Sequence, residues 1–327
     1  MFMKTIKTLS ISILLTAVLF LFISTETNAQ KHEVTTGAFI NSLYDFNIPE
    51  ESFKVDMWLW CTYKDSSLKM KEQIEFPYTK QFSFSNDVVE KKGEYEWLSM
   101  RAVGEVIKKW DNRNFPFDKQ RLNLSLGYSF DTSVFQIIPD TKNSKIDPDF
   151  QLPGWNIDKI SFESTLKKYQ TSFGDPSMKE GNSVYPQFDI IIDISRSSGF
   201  LTLMKMITGL LIAFLISCCV FFIKPTNTDP RFGLCVGGLF TAVGNKYITD
   251  SIVPSTNSIT LIDTLHIITF TYIFLIIIQS VFSLMIFERD TERAIKISKR
   301  FDWYSFLFIF ISYVIVMGWF IQSALNS

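Results

Sequence analysis

Three stretches of this chain, residues 199–223, 259–287 and 303–325, are nearly free of charge. Each exceeds the ~20 apolar residues that carry a helix across a ~30 Å hydrocarbon core. A chain with three such runs in its last 130 or so positions (roughly, against the ~20-residue span) is most simply a membrane protein at that end. A fourth segment, residues 231–252, lies between the first two and is less apolar. Lys224-Pro225 ends the first run, and Pro254 closes the second segment. Pro230 suits the first turn of a helix, where its missing N–H would be unbonded anyway. The expected helices therefore cover about 199–223, 231–252, 259–287 and 302–325, and residues 199–327 read as an all-α four-helix transmembrane bundle.

Upstream the pattern changes. Lys4 and Lys7 precede an apolar run over residues 9–23, followed by Thr27-Asn28-Ala29. Residues 1–29 thus read as a signal peptide. In residues 30–198 apolar side chains recur every second position: Phe53, Val55, Met57, Leu59, Cys61, Tyr63; then Leu122, Leu124, Leu126, Tyr128, Phe130; then Phe188, Ile190, Ile192, Ile194. Period two over such lengths means strands with one buried face. Turn-forming clusters separate them, at residues 64–67, 140–143 and 174–177. Many short strands without helical periodicity predict an antiparallel β-sandwich outside the membrane.

Charge sets the expected orientation. Arg289, Arg293, Lys296, Lys299 and Arg300 crowd the segment between the third and fourth helices, and Lys224 and Arg231 precede the second. Residues 250–258 on the opposite side hold no Lys or Arg. Basic loops stay cytoplasmic, so the N-terminal domain and the C-terminus are both expected outside. The chain holds 32 basic and 33 acidic residues, which lacks the basic excess of a nucleic-acid binder. Three of the four cysteines, Cys218, Cys219 and Cys235, fall in expected spans, leaving Cys61 without a disulfide partner. The two histidines, His32 and His266, are far apart, so neither a His-based triad nor a multi-His metal site is expected, and no cofactor is implied. Nor does the sequence point to a membrane enzyme, since it offers no nucleophile–base pair or phosphate-binding loop. His266 follows Asp263 by one helical turn; it reads either as a hydrogen-bonded interhelical residue or as a proton sensor.

The second helix carries the functional signal. It has four glycines, and Asn245 and Lys246 sit well inside it. A charge there is costly against lipid and must face protein or water. Gly233, Gly237, Phe240, Gly244, Tyr247 and Ser251 share one face at helical spacing. Two arrangements satisfy that face. It lines an aqueous pore built from several copies of the chain, with Phe240 as a hydrophobic gate, or its glycines let the helix pack closely on its neighbours with no pore. Lys246 lies beside the stripe, within reach of Asp250 or Asp263.

Phe115-Pro116-Phe117-Asp118-Lys119-Gln120, followed by the alternating strand from Leu122, resembles the signature loop of pentameric ligand-gated ion channels, the Cys-loop receptor superfamily. Gly154-Trp155-Asn156-Ile157 resembles a later strand of bacterial members. Arg196 before the first span, Asp-Pro-Arg opening the second helix and Pro254 after it are similar in order. The resemblance covers essentially residues 31–327. It implies an immunoglobulin-like sandwich of about ten strands, a ring of five identical chains in a bacterial plasma membrane, and a pore lined by the second helix with Phe240 at its gate. It implies that Asp118 and Arg196 meet where the domain joins the membrane, with Phe115, Pro116 and Phe117 beside them, coupling ligand binding to opening. It implies a small-molecule or proton ligand between subunits, with Tyr63, Tyr128, Phe130 and Tyr185 as candidate aromatic contacts suited to a cationic amine, and inorganic ions as the permeant species. The chain departs from the family pattern in places. The two flanking cysteines are absent, as in bacterial members, and Thr208 stands where a proline is expected. Pro230 stands where cation-selective members carry a glutamate, which leaves Asp229 as the candidate selectivity residue. A non-conducting membrane-anchored sensor of the same fold is the alternative reading.

Overall fold

The computed structural model describes residues 31–174, 183–253, 258–289 and 291–326. The expected signal peptide, and Pro254, lie outside the described residues. Ten strands precede four long helices. The strands are β1 (His32–Asn47), β2 (Ser52–Tyr63), β3 (Ile74–Glu75), β4 (Thr79–Lys92), β5 (Tyr95–Ile107), β6 (Lys119–Tyr128), β7 (Phe135–Pro139), β8 (Lys145–Ile146), β9 (Trp155–Tyr169) and β10 (Ser183–Arg196).

They form a sandwich. One sheet runs β4-β5-β2-β1-β7 with β8 also on β1, and the other runs β3-β6-β10-β9. The alternation seen in the sequence is the burial pattern: Phe53, Val55, Met57, Leu59, Cys61 and Tyr63 all point into the core from β2, and Leu122, Leu124, Leu126 and Tyr128 face them from β6. Phe188, Ile190, Ile192 and Ile194 of β10 complete the layer. The sheet is not wholly antiparallel, since β7 and β8 pair parallel with β1. The chain crosses from β6 in one sheet to β7 in the other, and that return brings β7 in alongside β1 in the same direction. The β6 strand also stops at Tyr128, so Phe130 lies past its end.

The helices are α1 (Gly199–Cys218), continued by a 3₁₀ turn at Cys219–Phe222, α2 (Thr228–Ile252), α3 (Leu261–Phe287) and α4 (Glu292–Leu325). Among the described residues three spans, Gly199–Phe222, Leu261–Phe287 and Glu292–Leu325, are long and apolar enough to cross a membrane. The α2 helix is long enough but too polar to join them. It starts at Thr228, before the expected Arg231, with Pro230 still in the first turn where no N–H is needed. The α3 helix opens with a capping box, Thr260 accepting from Asp263 N while the Asp263 carboxylate accepts from Thr260 N. The α4 helix begins ten residues before the expected 302, because Thr291 caps a charged amphipathic extension that continues straight into the apolar run.

Candidate functional site

Three features built by this fold bear on function: the junction between sandwich and helices, the face of α2, and an aromatic cavity on the sandwich.

At the junction, the segment between β5 and β6 reaches into the helices. Phe115 is buried among Leu203 of α1 and Leu261, Ile262 and Leu265 of α3, and so belongs to the helical core rather than the sandwich. Leu261 N donates to Arg113 O at 2.8 Å, tying the start of α3 to the same segment. At Gly199 a Cβ would lie 2.5 Å from Pro116 O, so the first residue of α1 has to be glycine for the loop to sit this close. Just above, Asp118 Oδ1 accepts from Arg196 Nε at 3.0 Å, and Asp118 Oδ2 accepts from Gln120 Nε2 at 3.1 Å. Gln120 also clamps the backbone of Asp111 in both directions, at 2.7 and 3.2 Å. The Arg196 guanidinium lies 4.1 Å from the centroid of Trp155 and 5.0 Å from that of Phe115, a cation between two π faces. The expected group of Phe115, Pro116, Phe117, Asp118 and Arg196 is thus one cluster, and Trp155 and Gln120 join it. Arg196 ends β10 three residues before α1 begins, so the ion pair ties the end of the last strand to the segment between β5 and β6 at the point where the chain enters the helices.

On α2, the stripe of Gly233, Gly237, Phe240, Gly244, Tyr247 and Ser251 is exposed from end to end within one chain, with Phe240 72% and Tyr247 77% accessible. Nothing lies within 4 Å of a Cβ built on Gly233, Gly237 or Gly244. Among the described residues of the protomer these glycines therefore make no close helix contact. The glycine that does is Gly238 on the opposite face, where a Cβ would run into Ser217 Oγ and lie 2.8 Å from Ala213 O. That inward face is held by polar side chains. Arg231, 1% exposed, donates from Nη2 to Asp302 Oδ2 of α4 at 2.5 Å and to Ile223 O at 2.7 Å, while Gln279 of α3 donates to Asp302 Oδ1 at 2.8 Å. Asn245 donates to Met206 O of α1 at 2.9 Å and contacts His266 Nε2 of α3 at 3.2 Å. His266 Nδ1 lies 2.8 Å from Ile262 O, and a carbonyl only accepts, so Nδ1 carries a proton and Nε2 is the acceptor for Asn245. Lys246 pairs with both Asp250 and Asp263. Asp229 is exposed in the first turn of α2.

On the sandwich, a cavity of about 240 Å³ is lined by Glu75, Ser129, Tyr169, Phe173, Tyr185 and Gln187, with Tyr128 as part of its wall. Tyr169, Phe173 and Tyr185 meet edge to face at 5.3, 5.8 and 6.1 Å. Glu75 accepts from Ser129 Oγ at 3.0 Å. Burial raises the Tyr169 phenol above its ordinary range. Of the expected aromatic contacts, Tyr185 and Tyr128 reach this cavity. Tyr128 is nevertheless a core residue whose hydroxyl sits 2.8 Å from Thr36 Oγ1, and burial drives its phenol well above the usual range. Tyr63 is buried in β2, and Phe130 packs on Phe135 at 5.8 Å; neither lines the cavity. Sequence reading missed Tyr169 and Phe173. Their signal was the cross-strand register, since β9 and β10 are a hairpin in which Tyr185 faces Lys167 and sits diagonally from Tyr169.

No known family profile matches the chain. It is similar to a proton-gated ion channel of Gloeobacter violaceus. The two are 24% identical over 268 residues, which span 75% of this chain and 71% of the relative. That distant likeness supports a ligand-gated channel relative, and the β-sandwich followed by membrane-length helices agrees with it.

Proposed function

We propose that this chain is one subunit of a homopentameric ligand-gated ion channel, with α2 lining an axial pore and the sandwich outside the membrane. The observation that carries the reading is the exposed stripe on α2. A helix whose inner face is pinned by Arg231, Asn245 and Lys246 presents glycine, serine and two aromatics outward, and its composition is too polar for a lipid-facing span. Copies of itself around an axis give that stripe water on one side and protein on the others. Phe240 is the bulkiest apolar group midway along the stripe and forms the gate. Asp229, one turn before the stripe begins, supplies an acidic ring at the basic end of the pore.

The junction couples the two parts. Ligand occupancy near β9 and β10 shifts Arg196, which moves α1 and α3 through Asp118, Phe115 and the Arg113–Leu261 bond. The ligand is a small cation held over Tyr169, Phe173 and Tyr185 with Glu75 as counter-charge, or a proton, as in the relative. The signal peptide expected from residues 1–29 and the clustered basic residues are in line with an outward-facing sandwich.

The experiment is planar-bilayer recording of purified protein, across pH and a panel of amines, for wild type and Phe240→Ala. Removing the ring widens and wets the constriction, so the variant shows raised resting current. Silent membranes for both proteins, with incorporation demonstrated, would replace the channel by a non-conducting sensor of the same fold.

A further inference from the structure

The core of the sandwich holds a small polar group that its packing does not require. Thr36 of β1 stands in the inward row of Val34, Ala38 and Ile40, and Cys61 of β2 lies directly opposite it in the register. Tyr128 ends β6 in the other sheet. Its hydroxyl reaches across the core to 2.8 Å from Thr36 Oγ1 and 3.3 Å from Cys61 Sγ. All three residues are at most 2% exposed. Valine and phenylalanine would fill much the same volumes as Thr36 and Tyr128 with no hydroxyl to satisfy, and a buried hydroxyl left without a partner costs stability. Hydroxyl, phenol and thiol each donate and accept, so the three satisfy one another without water. Thr36 Oγ1 and Cys61 Sγ are 3.9 Å apart, so the phenol is the member that holds the group together.

Its place in the fold gives this bridge a role. Tyr128 is part of the wall of the aromatic cavity. Just past it the chain leaves one sheet for the other, and that crossover is pinned at both ends: Thr132 N donates to Val184 O of β10 at 3.1 Å, and His32 N of β1 donates to Val134 O at 2.8 Å. The Tyr128 ring packs on Phe135, the first residue of β7, at 5.0 Å. Tyr128 thus meets the cavity on one side, while its tip is bonded to two interior strands of the opposite sheet. Farther along, the sheets meet through Leu122, Leu124, Ile190 and Ile192 on one side and Ile40, Leu43, Phe53 and Val55 on the other. Such apolar contacts have no direction and tolerate small slips, whereas a hydrogen bond has both a length and an angle to keep. Burial pushes the Cys61 thiol up to about 11, so an alkylating reagent finds a thiolate there only when the core opens.

We propose that Tyr128, Thr36 and Cys61 are a latch between the two sheets. Closed, it makes the cavity wall move as one piece with β1 and β2; released, it lets the sheets part at this end without unfolding the rest of the sandwich. The latch concerns the sandwich alone, and it holds whether or not the chain conducts ions and whatever the cavity takes up. The net contribution of one such hydrogen bond corresponds to about two- to tenfold in the opening equilibrium.

The test is alkylation of Cys61 by iodoacetamide in the detergent-solubilised full chain at pH 8, quantified on the Cys61 peptide by mass spectrometry along a urea series that stops short of unfolding. Local opening exposes little surface, so the wild-type labelling rate should be nearly flat in urea, while exchange of the core amides of Ile190 and Ile192 climbs with the full slope of unfolding. Tyr128→Phe and Thr36→Val should each speed labelling without urea by about two- to tenfold. Amide exchange of the peptide carrying Ser129, whose N–H bonds Gln73 O at 3.1 Å beside the cavity, should quicken by the same factor. Ile192→Val, ~20 Å away along the sheet, should weaken the sandwich and leave the urea-free labelling rate alone. Wild-type labelling that follows the full unfolding slope overturns the proposal. So do latch variants that label no faster than wild type, a Ser129 peptide unaffected by them, or an Ile192→Val chain that labels as fast as they do.

Discussion

The two ends of the Asp118–Arg196 pair are not equivalent, and their difference is measurable. The Asp118 side chain is 1% exposed and that of Arg196 is 22% exposed. Arg196→Ala leaves a buried carboxylate whose remaining described side-chain donor is Gln120, and breaking a buried pair in this way costs ~3–5 kcal/mol. Asp118→Ala leaves a guanidinium that still reaches water and still lies between Trp155 and Phe115, a contact that retains ~0.5–2 kcal/mol. Losing the carboxylate should therefore cost about 1–2 kcal/mol less than losing the guanidinium. For a domain of this size, 1 kcal/mol moves the thermal midpoint by ~2–4 °C, so the two variants should separate by about 2–8 °C. The assay is tryptophan fluorescence of the detergent-solubilised chain at one scan rate, with Trp155 at the site as an internal reporter. The double variant, which removes both charges, should melt above Arg196→Ala alone. An Asp118→Ala protein that melts at or below Arg196→Ala would refute the reasoning, as would a double variant less stable than either single one.

Three further outcomes follow from the same geometry. Arg231→Ala should destabilise by ~3–5 kcal/mol because it strands Asp302 in the bundle, while Arg231→Met/Asp302→Leu should recover most of the loss; thermal midpoints decide it. Gly238→Ala should lower the midpoint, because Ala213 O is backbone and cannot move aside for the new methyl, whereas Gly237→Ala should raise helix stability by up to ~1 kcal/mol; a reversed order would show that α2 does not pack as described. The Arg101 guanidinium, bonded to both oxygens of Asp56, holds that carboxyl below its ordinary range. Its folded value lies under its unfolded ~3.9, so its contribution is full above ~pH 4 and fades as pH falls through the folded value. Asp56→Asn should lower stability at neutral pH and flatten the acid limb of a stability–pH curve.

The sandwich was legible because its strands are half-buried: period two in β2, β6 and β10 is the same fact as their burial, and register follows once one face must be dry. The parallel pairing of β7 and β8 with β1 was hidden, because strands of five and two residues carry too little pattern to declare a direction. The α4 start was misplaced because its first ten residues are charged, and a charged stretch reads as a loop until its cap, Thr291, is recognised. At the candidate site, Asp118 and Arg196 could be paired only through a resemblance, since 78 residues separate them and neither has a local signature. Tyr63 and Tyr128 are candidate contacts only through the resemblance; both obey the alternation of their strands and point into the core, where that alternation puts them. Tyr169 and Phe173 went unnoticed because a strand edge and the first residues of a hairpin loop look like solvent-facing decoration until the hairpin closes.

The α2 helix explains why polarity within a bundle need not mean instability. It is poor in the large apolar groups that anchor its neighbours, so burial alone fixes its rotation weakly. Its rotation is set instead by three polar contacts on one side, namely Arg231 to Asp302, Asn245 to Met206 O and His266, and Lys246 to Asp263. They reach α4, α1 and α3 respectively, the second also reaching α3, and are spread along the helix from its first turn to beyond its midpoint. Turning α2 by one residue, about 100°, would break all three and bury Phe240 or Tyr247 against its neighbours. Each contact left unmade would strand a buried donor or charge at ~1–3 kcal/mol or more. The exposed stripe therefore has a defined azimuth, and a pore lined by it would open by tilting or translating the helix with its partners rather than by spinning it on its own axis.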